Sequence, residues 1–228
     1  MDLNQHRSTT AARPGPARRV LRAGLLAAAG LGILGTTTVA QAVHGVAVDT
    51  DAAHTLANPG HRQVFADSFS VHQEGLVYAA SVRNQATAVA GGCSADDPCR
   101  SIALSFQIVT MAGTDIHLNA LNLGRATDNH CDACESLAGA YQFVVSTPRP
   151  FTLSAAAQRQ LADIHRRLDA LRSSTAPVAQ IQRQADALAA EVTALLKAAA
   201  ATAPAGPGVS ALAAMEPQIT VHRMFDRH

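Results

Sequence analysis

Apolar and polar residues change their spacing along this 228-residue chain, and each change of period predicts a change of element. Ile102, Leu104, Phe106 and Ile108 alternate with Ala103, Ser105 and Gln107. A period of two predicts a strand with one apolar face. Leu137, Tyr141 and Phe143 keep the same phase against Ser136, Ala138 and Gln142 and predict a second strand, although Leu137, Tyr141 and Val144 also fit helical spacing. Beyond Thr147-Pro-Arg-Pro150 the period lengthens. Leu161, Ile164, Leu168 and Leu171 predict an amphipathic helix capped by Ser154. Thr175-Ala-Pro177 then predicts the cap and start of a second helix carrying Ile181, Ala185, Leu188, Val192 and Leu195. Stripes this short are expected to pack on each other or on the sheet; a coiled-coil contact, and self-association through it, is the other use.

Upstream, QVFADSFSVHQ and GLVYAASVRNQATAVAGG, from Gln63 onward, predict half-buried strands. Residues 43–62 show no period and are expected to be a linker. Residues 199–228 begin as the low-complexity run AAATAPAGPG and are expected to be loosely held. Residues 1–42 carry an Arg-rich opening, an apolar stretch over Ala23–Gly35 and Ala40-Gln41-Ala42, a small-x-small cleavage site before Val43. This order predicts an export signal and a secreted or cell-surface protein. An uncleaved membrane anchor is the alternative, because Ala23–Val43 just reaches the roughly 20 residues a span needs. Arg18-Arg19 leaves the general and twin-arginine routes both open.

The main pattern is a duplication. Cys99-Arg-Ser-Ile-Ala-Leu-Ser-Phe-Gln-Ile-Val109 matches Cys134-Glu-Ser-Leu-Ala-Gly-Ala-Tyr-Gln-Phe-Val144. Upstream, Asn84 precedes Cys93 as Asn122 precedes Cys131, and Ala88 answers to Ala126. Each copy reads as a strand, a cysteine-bearing turn and a return strand. The expected fold is therefore α+β: a small antiparallel sheet from two duplicated Cys-bearing hairpins over residues 63–149, then an αα-hairpin over 150–198.

Composition narrows the function. Five of the 18 basic residues precede Val43, so residues 43–228 hold 13 basic and 16 acidic groups, a formal −3. No basic face remains for nucleic acid. The even count of four cysteines in an exported chain points to disulfides at Cys93, Cys99, Cys131 and Cys134, most simply Cys93–Cys99 and Cys131–Cys134, with cross-pairing between copies as the competitor. A four-cysteine zinc site is the rival: Cys131-x2-Cys134 has ligand spacing, but Cys93-x5-Cys99 is wide. Thiol–disulfide exchange at Cys131-x2-Cys134, with His130 alongside, is a third reading. Most of the ten histidines are expected to be solvated surface residues. Gln107, Gln142, Asn84 and Asn122 are expected to be hydrogen-bonders in sheet and turn rather than catalysts. No H-E-x-x-H, H-x-x-E-H, G-x-S-x-G or Gly-rich phosphate loop occurs, so no catalytic centre and no cofactor is expected.

The sequence N-x-A-x-A, a cysteine pair, C-x-[ST]-apolar-A-x-[AS]-F-Q-V-V, the unit again and a Leu-rich helical pair resembles a family of exported proteins of high-GC bacteria. Members often carry the inherited name peptide zinc metalloprotease. The resemblance spans about Phe69 to Lys197 and implies no established activity, and no metalloprotease residue is present to carry over. The chain departs from it in the wide Cys93–Cys99 spacing and at Gly124 and Arg125, which interrupt the second N-x-A-x-A. Together these readings predict an exported structural or binding module with an extracellular or cell-surface protein as partner and a membrane contact only through an uncleaved N-terminus.

Overall fold

The structure is a computed structural model that describes residues 39–40, 45–203 and 218–227. In chain order the elements are β1 (Val39–Ala40), β2 (Gly45–Ala57), β3 (Gln63–Gly91), β4 (Arg100–Ala112), β5 (His117–Asn129), β6 (Glu135–Thr147), α1 (Ala155–Asp169), α2 (Val178–Ala201) and β7 (Gln218–Arg227). The export segment expected over residues 1–42 lies outside the described residues apart from β1. Among the described residues no helix is long and apolar enough to cross a membrane.

The fold is α+β, but the antiparallel hairpins are wrong. β4 pairs with β6, and β3 pairs with β2, β4 and β5, all in parallel. The residues that match between the two copies are register partners: Asn84 lies beside Asn122, Ala88 beside Ala126, Ser101 beside Ser136 and Gln107 beside Gln142. A hairpin sets a copy against itself, whereas a coil stacks each copy on the equivalent residues of the next. The chain coils. The turns are β2 with residues 63–76 of β3, residues 77–91 of β3 with β4, and β5 with β6, so that β1, residues 63–76, β4 and β6 make a first sheet and β2, residues 77–91 and β5 a second. β3 passes between the sheets near its register shift at Gln73/Leu76. At the corresponding corner after β4, a Cβ on Gly113 would stand 2.5 Å from the Val77 carbonyl oxygen, so successive corners approach too closely for a side chain there.

Two segments expected to be irregular are strands. Residues 45–57, inside the expected linker, form β2, and residues 218–227, inside the expected loose tail, form β7, antiparallel to β6. β2 escapes a hydropathy reading because its inward positions, Ala47, Asp49, Asp51, Ala53, Thr55 and Ala57, are small or polar.

Both strands of the repeat have the predicted alternation, and both of their faces are buried. Outward from the first sheet, Ile102, Leu104, Phe106, Ile108, Leu137, Tyr141 and Phe143 pack against Leu161, Ile164 and Leu168 of α1 and Ile181, Leu188, Val192 and Leu196 of α2. The helical stripes thus cover the sheet. Phe69, Phe106 and Tyr141 occupy one register row with centroids 5.9 and 4.3 Å apart, and the Tyr141 hydroxyl donates to Asp186 Oδ1 at 3.0 Å. Ser154 caps α1 by accepting from the Ala157 N–H at 3.1 Å. Thr175 does not cap α2; Pro177 occupies that position with no side-chain hydrogen bond.

Candidate functional site

Between the sheets the residues are small, and the copies of the repeat meet through polar ladders. Ala53, Ala86, Ala88, Ala103, Ala126, Ala138 and Ala140 form one cluster. Gly124 pairs with Ala86 in this layer, where a small residue is what the space admits, so the interrupted motif does not interrupt the coil. Asn84 Nδ2 donates to Asn122 Oδ1 at 2.9 Å and reaches across to the backbone oxygens of Ser105 (3.2 Å) and Tyr141 (2.9 Å). Gln142 Nε2 donates to Gln107 Oε1 at 2.7 Å, and Gln107 Nε2 to Asp51 Oδ2 at 2.7 Å. These four amides are structural hydrogen-bonders, joining sheet to sheet and turn to turn.

The first coil differs from those that follow. Where the later coils set Val82 and Ala120 in one interior row and Val109 and Val144 in another, the first supplies Asp49 and His72. His72 Nδ1 lies 3.2 Å from Asp49 Oδ1, and its Nε2 2.8 Å from Asp51 Oδ2. Burial pushes Asp49 upward from the usual carboxylate value, against the field of His72. Burial acts the same way on Asp51, but hydrogen bonds from His72 and Gln107 outweigh it and hold that carboxyl low. For His72, burial favours the neutral ring, yet the bond to Asp51 and the charges of Asp51, Asp49 and Glu74 raise it above its ordinary value. Burial raises Glu74. A charged clamp therefore ties β2 to residues 63–76 of β3. His72 is one of the scattered histidines that the sequence does not single out; the missed signal is Asp49-x-Asp51, which puts two carboxylates on one face of a strand.

All four predicted cysteines come together at one corner. Cys93 and Cys99 flank the chain's passage from β3 to β4, and Cys131 and Cys134 its passage from β5 to β6. The sulfurs form two close pairs, Cys93 with Cys99 and Cys131 with Cys134, with Cα–Cα distances of 5.8 and 5.7 Å. Cys93 and Cys99 are buried, and Ala57, Ala90 and half-buried Val64 pack around the group. The two pairs also adjoin each other: the sulfurs of Cys93, Cys131 and Cys134 lie within 4.8 Å of one another. This is the one metal-ligating cluster among the described residues. β6 begins at Glu135, so no helix N-terminus lies after Cys134 to lower a thiol pKa as an exchange-active C-x-x-C requires. His130 is exposed at φ 51°, a left-handed turn position, and is not among the clustered ligands.

A cleft of about 590 Å³ opens between this corner and the helices, lined by His61, Phe65, Arg100 and Arg172 among others. Its arginines are already engaged. Arg100 donates to the Ser174 and Ala176 carbonyls, and Arg172 to the Phe65 carbonyl and to Asp67, with its guanidinium over the Phe65 ring. No nucleophile is paired with a base there among the described contacts.

Among the described residues no helix lies over the outer face of the second sheet. Val46, Val48, Leu56, Leu121 and Leu123 are all exposed there, Val48 by 71%. Its charged side chains are Arg83 and Arg125; neither Asp nor Glu occurs at its outward positions in β2, residues 77–91 or β5.

Comparison of the chain with protein-family models, with curated proteins and with solved structures finds no match.

Proposed function

We propose that this chain is an exported structural or binding module, a sulfur-pinned coil that offers the bare face of its second sheet to a partner at the cell surface. The observation that carries the reading is the unequal covering of the two sheets. Two helices bury the outside of the first, while the second leaves five aliphatic side chains in water on a face without acidic groups. Val46 and Val48 adjoin on β2 and Leu121 and Leu123 on β5, and exposed apolar groups gathered on one sheet face support an interaction site. The leader-like residues 1–42 support the compartment and assign no activity. In that compartment the two close cysteine pairs are disulfides, Cys93–Cys99 and Cys131–Cys134, each closing one corner of the coil.

Site-specific photo-crosslinking in the exporting cell tests the binding role. A crosslinker at Leu121 is expected to give a discrete adduct and one at Arg159, on the helical side, none; equal labelling from both positions, or none from either, would refute it. A mass-spectrometric thiol count on the exported, unreduced protein tests the sulfur assignment, with no free thiol expected.

A further inference from the structure

The cysteine corner has a property that two independent disulfides do not require: the pairs share one location. The β3–β5 register sets Gly91 beside Asn129, and the β4–β6 register sets Arg100 beside Glu135. Cys93 therefore follows its register partner at the same distance as Cys131, and Cys99 precedes its own as Cys134 does. Stacking of the coil brings the cysteines of two successive turns to one corner, where Cys93 and Cys99 are buried and Cys131 and Cys134 half-buried. Sulfurs at the corners of a tetrahedral zinc site stand about 3.8 Å apart, from Zn–S bonds of about 2.3 Å. The sulfurs of Cys93, Cys131 and Cys134 already lie within 4.8 Å of one another, and Cys99 is the close partner of Cys93. The wide Cys93-x5-Cys99 spacing is no obstacle here, because the stacked strands and not the intervening loop set the positions of the two ends.

We propose that in the reduced chain these four cysteines bind one zinc ion, which bridges two turns of the coil. Reduction supplies two electrons and two protons to each disulfide, the phosphine reductant ending as its oxide with oxygen from water. Zinc then displaces the four thiol protons and is held by four thiolates. The oxidised and metal-bound forms differ mechanically: each disulfide closes a single turn on itself, whereas the metal ties the turn before β4 to the turn before β6. This deepens the sulfur assignment made above but does not depend on it, since the site concerns the reduced chain alone.

The test uses the full chain, reduced with a phosphine under anaerobic conditions and titrated with Co²⁺ and then Zn²⁺. The visible bands of tetrahedral cobalt thiolate are expected to saturate at one ion per chain, to bleach on addition of zinc and to vanish in the double variants Cys93→Ser/Cys99→Ser and Cys131→Ser/Cys134→Ser. Absence of the bands, or their persistence in either double variant, overturns the site. Alkylation of the wild-type chain keeps the result independent of whether the variants fold. With zinc present the mass spectrum is expected to contain chains carrying no adduct or four; chains carrying two, with one pair protected and the other not, would count against a shared ion. Free thiols in the unreduced exported protein would instead remove the disulfide assignment and leave the metal site standing.

Discussion

The two sheets of this coil share a chain, a register and an interior, yet their outer faces have opposite character. The first sheet presents Phe69, Phe106, Tyr141 and Phe143 to two helices; the second presents Val, Thr, Leu, Arg and His side chains to water. With no Trp, two Tyr and six Phe in all, the chain has few large side chains, and the helix-covered face takes most of the ring stacking. Burial follows from where the large residues stand. Between the sheets, Ala and Ser allow the close approach that lets one asparagine amide reach carbonyls of the opposite sheet. Stability is thus concentrated on one side of the molecule, and the other side is free to vary in composition.

Two substitutions break this comparison most strongly. Phe106→Ala removes a fully buried ring that contacts Phe69, Tyr141 and Phe143, and is expected to cost about 3–5 kcal/mol in chemical denaturation. A loss below about 1 kcal/mol would mean that the helices do not rest on this row. Asn84→Leu removes a donor shared by Ser105, Asn122 and Tyr141 and is expected to cost about 2–3 kcal/mol by the same measurement. An unchanged midpoint would show that the interior ladder contributes nothing net.

The periods of two and of three to four were legible in the sequence and correctly located β4, β6 and both helices. The duplication was legible too, but not its meaning. Alternation along a strand is the same whether its neighbour runs parallel or antiparallel, so Ile102 to Ile108 could not decide between a hairpin and a coil. The deciding clue lay in the identity of the repeated residues. Asn84 with Asn122, 38 residues apart, and Gln107 with Gln142, 35 apart, are amides that satisfy one another when stacked like on like, which a parallel coil allows and a hairpin does not. β2 was hidden because its buried positions hold Ala, Asp and Thr, and hydropathy marks only those strands that bury large side chains. The cysteine pairs could be guessed from duplication, whereas their sharing one corner depends on the parallel stacking and was out of reach without it.

The first coil sharpens the comparison along the axis of the molecule, since it replaces an apolar row with ionisable groups. His72, raised above 6.5 in the folded chain, contributes stability that is complete below 6.5 and is lost as pH rises through the raised value. Asp51, held below 3.8, contributes above 3.8 and loses its contribution as pH falls through the lowered value. Asp49 and Glu74, both raised, act against the fold when ionised and so limit the gain at higher pH. β2 should therefore be held most firmly in the mildly acidic range. Amide exchange over residues 45–57, corrected for the intrinsic rate, is expected to quicken from about pH 6 to about pH 8 while exchange over β4 does not. His72→Asn should abolish the difference, and a uniform response of both strands would locate the titration elsewhere.

The smallest effect on stability falls on the bare face, where a substitution separates folding from use. Val48 and Leu121 stand in water on the second sheet, so Val48→Thr and Leu121→Thr bury no new polar group and open no cavity. Each should change the free energy of unfolding by less than about 0.5 kcal/mol. If the face is the contact surface, the pair of changes should still reduce photo-crosslinking from a neighbouring outward position such as Arg83. A large loss of stability would instead mean that these residues are covered within the chain, and the unequal treatment of the two sheets would then be a matter of packing and not of binding.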